Sequence, residues 1–133
     1  MAFKDLLNCK LDGKISEEDL ARLPSGFQRI GDIIILNLVD ELVKYEKEIG
    51  EAVLELNPSV RSVCRKTGII TGTFREPQIS VIAGSEDTVT THIESGCKYR
   101  FDVRKVMFAK GNVVERSRIA KQVKDGEVIV DMF

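Results

Sequence analysis

The stretch KVMFAKGNVVERSRIAKQV, residues 105–123, and the arginine before it gather the side chains of this 133-residue chain best suited to hold an anion. Arg104, Lys105, Lys110, Arg116, Arg118 and Lys121 supply guanidinium and ammonium groups, the donors that take phosphate oxygens. Phe108 stands among them, where an aromatic ring either stacks on a nucleobase or fills a core. Asn112 precedes a run with helical spacing, and the first amides of a helix lack intrahelical partners, so they can join in anion binding. RNA contact is the leading functional reading of these residues. A solvated basic helix behind a hairpin, or a surface for a protein partner, would explain the same charges.

The net charge of −1 hides an uneven distribution. Residues 98–124 carry 9 Lys or Arg against 2 Asp or Glu, whereas residues 1–97 carry 11 against 16. One segment can therefore present a positive face on a chain that is close to neutral as a whole. The other candidates for chemistry are weaker. His92 is the single histidine, with no second ligand or carboxylate beside it in a catalytic pattern, so it reads as an ordinary strand residue. Glu94, Asp102 and Glu115 are acidic islands best explained by pairing with Arg or Lys. Cys9, Cys64 and Cys97 are odd in number and widely spaced, which fits reduced structural thiols and no metal site. KTGIITG has two glycines but lacks the strand, turn and helix context of a phosphate loop. No catalytic residue is nominated. The longest apolar run, IIILNLV, is too short to span a bilayer, and the N-terminus lacks the blocks of a secretion signal, so a cytoplasmic location is expected.

The elements that must position the basic segment follow from periodicity and caps. Ser16 caps a short helix that Pro24 stops, and FQRIGDIIILNL reads as two strands around Gly31 and Asp32. Asp40 caps the main helix, whose apolar stripe runs from Leu42 to Leu56 before Asn57 and Pro58 close it. SVRSVCRK and Gln78 to Ala83 read as strands, and Val89–Ile93 with Cys97–Val103 form a hairpin around Ser95 and Gly96. The strand face is expected to continue through Val106 and Phe108. Asn112 then caps VVERSRIAKQV with Glu115 as capping-box partner, and the apolar run in EVIVDMF reads as a strand buried on both faces. The expected class is α+β: a small mixed or antiparallel sheet with one main packing helix, then a linker helix and a last strand.

The segment GCKYRFDVRKVMFAKGNVVERSRIAKQVKDGEVIVDMF resembles the GxxYxxDVxKVMFSPGNxxERxR and VVDMFAGIG run of a known family. That family holds the archaeal and eukaryotic tRNA guanine-37 N1-methyltransferases and the wyosine-pathway aminocarboxypropyltransferases. Upstream, RKTGIITGTFREPQISVIAGSEDTVTTHIESG is similar to its RKxGxIxGxxRxPxxxxLxGxxTxTxHxExG, so the likeness spans roughly residues 27–133.

The resemblance implies that residues 1–103 form an RNA-recognition domain, 104–126 a basic linker and 127–133 the first strand of a truncated Rossmann-like domain. It implies S-adenosylmethionine as cofactor of the full-length protein, with none expected on these 133 residues alone, which should not catalyse by themselves. Phe108, Asn112, Glu115 and Arg116 align with the family's FSPxNxxER segment beside the cofactor and target base, although Ala109 and Lys110 replace its Ser and Pro. Arg104, Lys105, Lys110, Arg118 and Lys121 are the residues expected to hold the anticodon stem-loop of a tRNA. The implied reaction is methyl or aminocarboxypropyl transfer to the base at position 37. A free-standing RNA-binding module and a non-catalytic protein-interaction domain are the alternatives. Residues 128–130 are expected to lack a complete parallel sheet and to offer an edge for self-association.

Overall fold

The chain is described by a computed structural model over residues 2–68, 73, 76–130 and 132. Its organising element is β2 (Ile33–Leu36), four consecutive apolar residues that are all buried. A run apolar on both faces needs cover on both sides and strands on both edges. The edges are taken by β1 (Gln28–Ile30), antiparallel to it, and β3 (Ser62–Lys66), parallel to it; β4 (Ile79–Gly84) completes the order β1-β2-β3-β4. Parallel neighbours cannot be joined by a tight turn. The crossover here is a 3-10 turn at Asp40–Tyr45 followed by helix α3 (Glu46–Leu56).

Alternation along β2 sorts its side chains between two cores. Ile34 and Leu36 join Val63 and Ile82 under α3 and helix α1 (Phe3–Leu11), with Leu7, Leu11, Ile49 and Val53 completing that layer. Ile33 and Ile35 face the other way with Ile30, Cys64 and Val103, and Phe101 and Phe108 pack on them. Gly50 lets α3 lie flat on β4: a Cβ there would stand 2.8 Å from the Ala83 Cβ.

The hairpin forms as expected from β5 (Val89–Glu94) and β6 (Cys97–Asp102), a separate two-stranded sheet. Its two-residue turn has positive φ at both Ser95 and Gly96, the geometry that matches strand twist. Ser16 caps α2 (Glu17–Leu20) by accepting from the Asp19 amide.

Several elements differ from expectation. Helix α1 was not foreseen, because no side chain caps it at Ala2; its signal was the spacing of Phe3, Leu7 and Leu11. Asp40 caps nothing, since the crossover starts as a 3-10 turn and the α-helix begins only at Glu46. The strand face does not run on to Phe108. It breaks at Asp102, whose carboxylate accepts from the Arg104 amide at 2.9 Å and the Thr88 hydroxyl at 2.5 Å, while its carbonyl accepts from the amides of Lys105 and Val106, folding the chain into a turn. Helix α4 (Val113–Gln122) forms, yet Asn112 makes no cap bond and Glu115 turns to Arg118 instead of closing a capping box. Val128, Ile129 and Val130 belong to no strand and are 91%, 65% and 79% exposed. Asp131 and Phe133 of that stretch, and most of KTGIITG, lie outside the described residues.

Candidate nucleic-acid interface

The site is built on the inner face of the hairpin. Register pairs Thr90 with Phe101, His92 with Tyr99 and Glu94 with Cys97, and directly opposed residues share a face. Phe108 lies against this row, its ring centroid 4.9 Å from His92, 5.3 Å from Tyr99 and 5.5 Å from Phe101. Its carbonyl accepts from the Gln28 side chain at 3.3 Å, tying the 106–109 segment back to β1. Phe108 is therefore a half-buried part of the second core, and the aromatic cluster rather than strand alternation puts it there.

Arg116, one turn into α4, covers the same ring from outside with its guanidinium carbon 4.6 Å from the ring centroid. Its Nε and one terminal nitrogen donate to the two oxygens of Glu94, each at 2.7 Å, and the other terminal nitrogen donates to the Ala109 carbonyl at 2.9 Å. A planar fork meeting a carboxylate in two parallel bonds is the strongest common ion-pair geometry. The Glu94 side chain is only 8% exposed, so this pair locks the root of α4 onto the hairpin tip.

The β1–β2 turn docks on the hairpin beside this cluster. Gly31 has φ of +56°, and a Cβ there would fall 2.2 Å from the Thr90 hydroxyl oxygen and 2.6 Å from the Thr91 carbonyl oxygen. Its amide donates to His92 Nδ1 at 3.2 Å. Next to it, Asp32 accepts from Arg61 at 2.9 Å and from the Thr90 hydroxyl at 2.6 Å.

The other basic residues are distributed along this scaffold. Lys110 donates to the Arg29 carbonyl at 2.6 Å, Arg118 pairs with Glu115 at 2.6 Å, and Arg104 reaches Glu86 at 3.4 Å. All three are exposed pairings, which solvent screening makes weak and exchangeable. Lys105 and Lys121 are exposed as well.

The sequence of the chain matches a family profile described as the TYW2 N-terminal domain over residues 7–88. A second, the TRM5/TYW2 methyltransferase domain, matches residues 90–133. The chain belongs to the TRM5/TYW2 family. It is 45% identical over 92% of its length to the tRNA(Phe) (4-demethylwyosine(37)-C(7)) aminocarboxypropyltransferase of Pyrococcus horikoshii, and spans 43% of that protein. Among solved structures it resembles Pyrococcus horikoshii TYW2 in complex with MeSAdo, with TM-score 0.76 and 38% identity over 92% of this chain and 42% of that one. It also resembles aTrm5 in its complex with tRNA(Leu), with TM-score 0.74 and 32% identity over 93% of this chain and 38% of that one.

In this TRM5/TYW2 chain the titrating groups are tuned for structure. The Arg116 guanidinium bonded to Glu94 holds that carboxyl below its ordinary range, and the pairing raises Arg116 in turn. Burial lowers the proton affinity of His92, and the positive charges of Lys110 and Arg116 lower it further against the pull of Glu94. A neutral His92 is what the Gly31 amide requires, since only an unprotonated Nδ1 accepts. Of the residues aligned with the family's cofactor segment, Phe108 and Arg116 are built into the aromatic cluster, while Asn112 and Glu115 stand exposed. Phe108 lines a cleft of about 890 Å³ with Ile30, Ile79 and Met107; Asn112, Glu115 and Arg116 do not line it. Among the described residues the four thus close no single cofactor cavity. His92, Glu94, Tyr99 and Phe101 were missed as a group, although period-two alternation across the foreseen hairpin placed them on one face. No group of acidic, His and Cys side chains suited to a metal ion occurs among the described residues. No helix of the described residues is long and apolar enough to cross a membrane.

Proposed function

We propose that this protein is an S-adenosylmethionine-dependent tRNA transferase acting on the guanosine-derived base at position 37, next to the anticodon. The observation that carries the reading is the succession of the two family profiles along residues 7–88 and 90–133. The position-37 reaction in the name of the 45% identical relative supports it, as does the likeness to a structure holding tRNA(Leu). The TYW2 label of the first profile favours aminocarboxypropyl over methyl transfer. When bound, S-adenosylmethionine supplies the sulfonium-activated carbon; Phe108, Asn112, Glu115 and Arg116 are the residues assigned to its side of the interface. Residues 1–103 serve RNA recognition, 104–126 link, and 127–133 begin the cofactor-binding part. The cytoplasm is the proposed location.

In this reading the chain's own part is placement. Arg104, Lys105, Lys110, Arg118 and Lys121 hold phosphates of the anticodon stem-loop, and correct placement of a reacting pair contributes several kcal/mol to a transfer. The exposed pairs of Lys110 and Arg118 exchange for phosphate at little cost. The test is fluorescence anisotropy of an anticodon stem-loop over a salt series. Replacing both Lys110 and Arg118 with Ala should lower the slope of log affinity against log salt by about 1.4 to 1.8, at 0.7 to 0.9 per phosphate, for all loop sequences alike. An unchanged slope overturns the assignment. Mass analysis of nucleoside 37, after tRNA is incubated with the full-length protein and S-adenosylmethionine, identifies the transferred group.

A further inference from the structure

Helix α4 leads from the hairpin towards residues 127–133, yet apolar packing does not fix its direction, because none of its residues is buried. Among the described residues Arg116 is the one side chain of α4 that bonds outside the helix; the pair of Arg118 with Glu115 lies within it. That single guanidinium gathers three stretches of chain. It holds Glu94 at the end of β5 with Nε and one terminal nitrogen, the Ala109 carbonyl with the other, and it lies over the Phe108 ring. The Phe108 carbonyl is tied in turn to β1 through the Gln28 side chain, so the grip of Arg116 refers α4 to the sheet as well as to the hairpin.

Glu94 gives this grip its direction. A bond to one carbonyl leaves a side chain free to swing about it, whereas two parallel bonds to a carboxylate fix the plane of the guanidinium. Both oxygens of Glu94 are engaged in this way, and its side chain is so little exposed that water competes weakly for them. The bonded Arg116 and the nearby charge of Lys110 both favour the ionised carboxylate, which keeps the fork closed at neutral pH.

We propose, resting on the transferase reading above, that Glu94 is a positioning residue of the transfer reaction. Acting through Arg116, it sets the direction of α4, and so the place of the cofactor-binding part relative to the RNA held by the sheet and hairpin. With its oxygens committed to Arg116, Glu94 carries out no step of the chemistry itself. A misplacement of about 1 Å at a reacting pair is enough to cost about a hundredfold in rate, even when the altered residue is far from the chemistry.

The test uses the full-length protein with tRNA and S-adenosylmethionine in single turnovers, enzyme in excess over tRNA, where an unfolded fraction does not alter the rate constant. Glu94→Gln keeps the size of the side chain but sets an amide NH2 against the guanidinium. It should lower the single-turnover rate constant about tenfold to a hundredfold while the affinity for tRNA changes less than about twofold. Arg116→Lys keeps the charge, loses the fork and should do the same. The double variant should be no slower than the slower single, because the two side chains act as one unit. Losses that multiply in the double variant overturn the proposal, since Arg116 would then act on substrate or cofactor independently of Glu94. A rate constant unchanged by Glu94→Gln overturns it, as does a loss confined to tRNA affinity. A chain unfolded by Glu94→Gln, seen by circular dichroism, would make the pair an element of stability and overturn it too. All four outcomes leave the transferase reading standing, whereas no transfer by the unaltered protein overturns that reading and the role of Glu94 with it.

Discussion

Ile33, Ile34, Leu36 and Val63 in the four-stranded sheet are all fully buried, whereas α4 buries none of its ten residues. The sheet is held by apolar area on two faces, which is non-directional and insensitive to pH. The hairpin and the root of α4 are held by the smaller second core with its aromatic cluster, by one forked ion pair, and by directional bonds to the docked turn and to Arg61. A region fixed more by directional contacts than by buried apolar area can open without unfolding the rest. That places the adaptable part of the molecule where the basic residues are, and the rigid part behind it.

The comparison is broken most strongly from the sheet side. Ile34→Ala leaves a cavity between β2 and the α1–α3 layer and should cost about 2–5 kcal/mol, measured by urea unfolding followed through helical circular dichroism. If it costs less than the hairpin substitution that follows, the sheet is not the dominant store of stability. Phe108→Ala comes next. Because the ring is half-buried, roughly 2 kcal/mol is expected, about half of a full core deletion. The loss should be local: hydrogen exchange accelerates in β5, β6 and α4 while β2 and β3 keep their protection. Uniform acceleration would mean that the two regions unfold as one.

The smallest effect is a pH step. The folded-state proton affinity of His92 is lowered below its ordinary value of 6.5. Its contribution is therefore complete above pH 6.5 and is lost as pH falls from there through the folded value. Hairpin amides should exchange faster across that window. His92→Asn keeps an acceptor for the Gly31 amide and cannot titrate, so the step should vanish; a step that survives belongs to another group. Glu94, also lowered, contributes at pH above its ordinary 4.5 and loses that contribution further down, so the two groups are resolved by window.

The sheet was legible because its strands carry their own signals. IIIL can hardly be anything but a covered strand, and Asn57 with Pro58 ends the crossover helix whatever surrounds it. Periodicity and turn chemistry likewise gave the hairpin. The contacts that make the site were not legible, because they join distant positions: Arg116 finds Glu94 22 residues away, and Gly31 finds His92 61 residues away. Local reasoning gave Glu115 to the Asn112 cap, but an arginine three residues on offered its carboxylate a charged partner and won. The turn after Asp102 was missed for the same reason, since its carboxylate is recruited by Thr88 across the hairpin's open end.

Gly31 carries one more consequence, visible at the level of the gene. Two independent demands meet at that position: a φ of +56° and a clearance that would put any Cβ 2.6 Å from the Thr91 backbone oxygen. A hydroxyl can rotate away, but a strand carbonyl cannot. No residue with a side chain meets both demands, so every missense change at this triplet strains the joint between hairpin and sheet while leaving the coding of each intact. A single-nucleotide missense change there thus weakens the joint between two regions whose own codons are untouched, leaving the Asp32–Thr90 and Arg61–Val89 bonds to hold it.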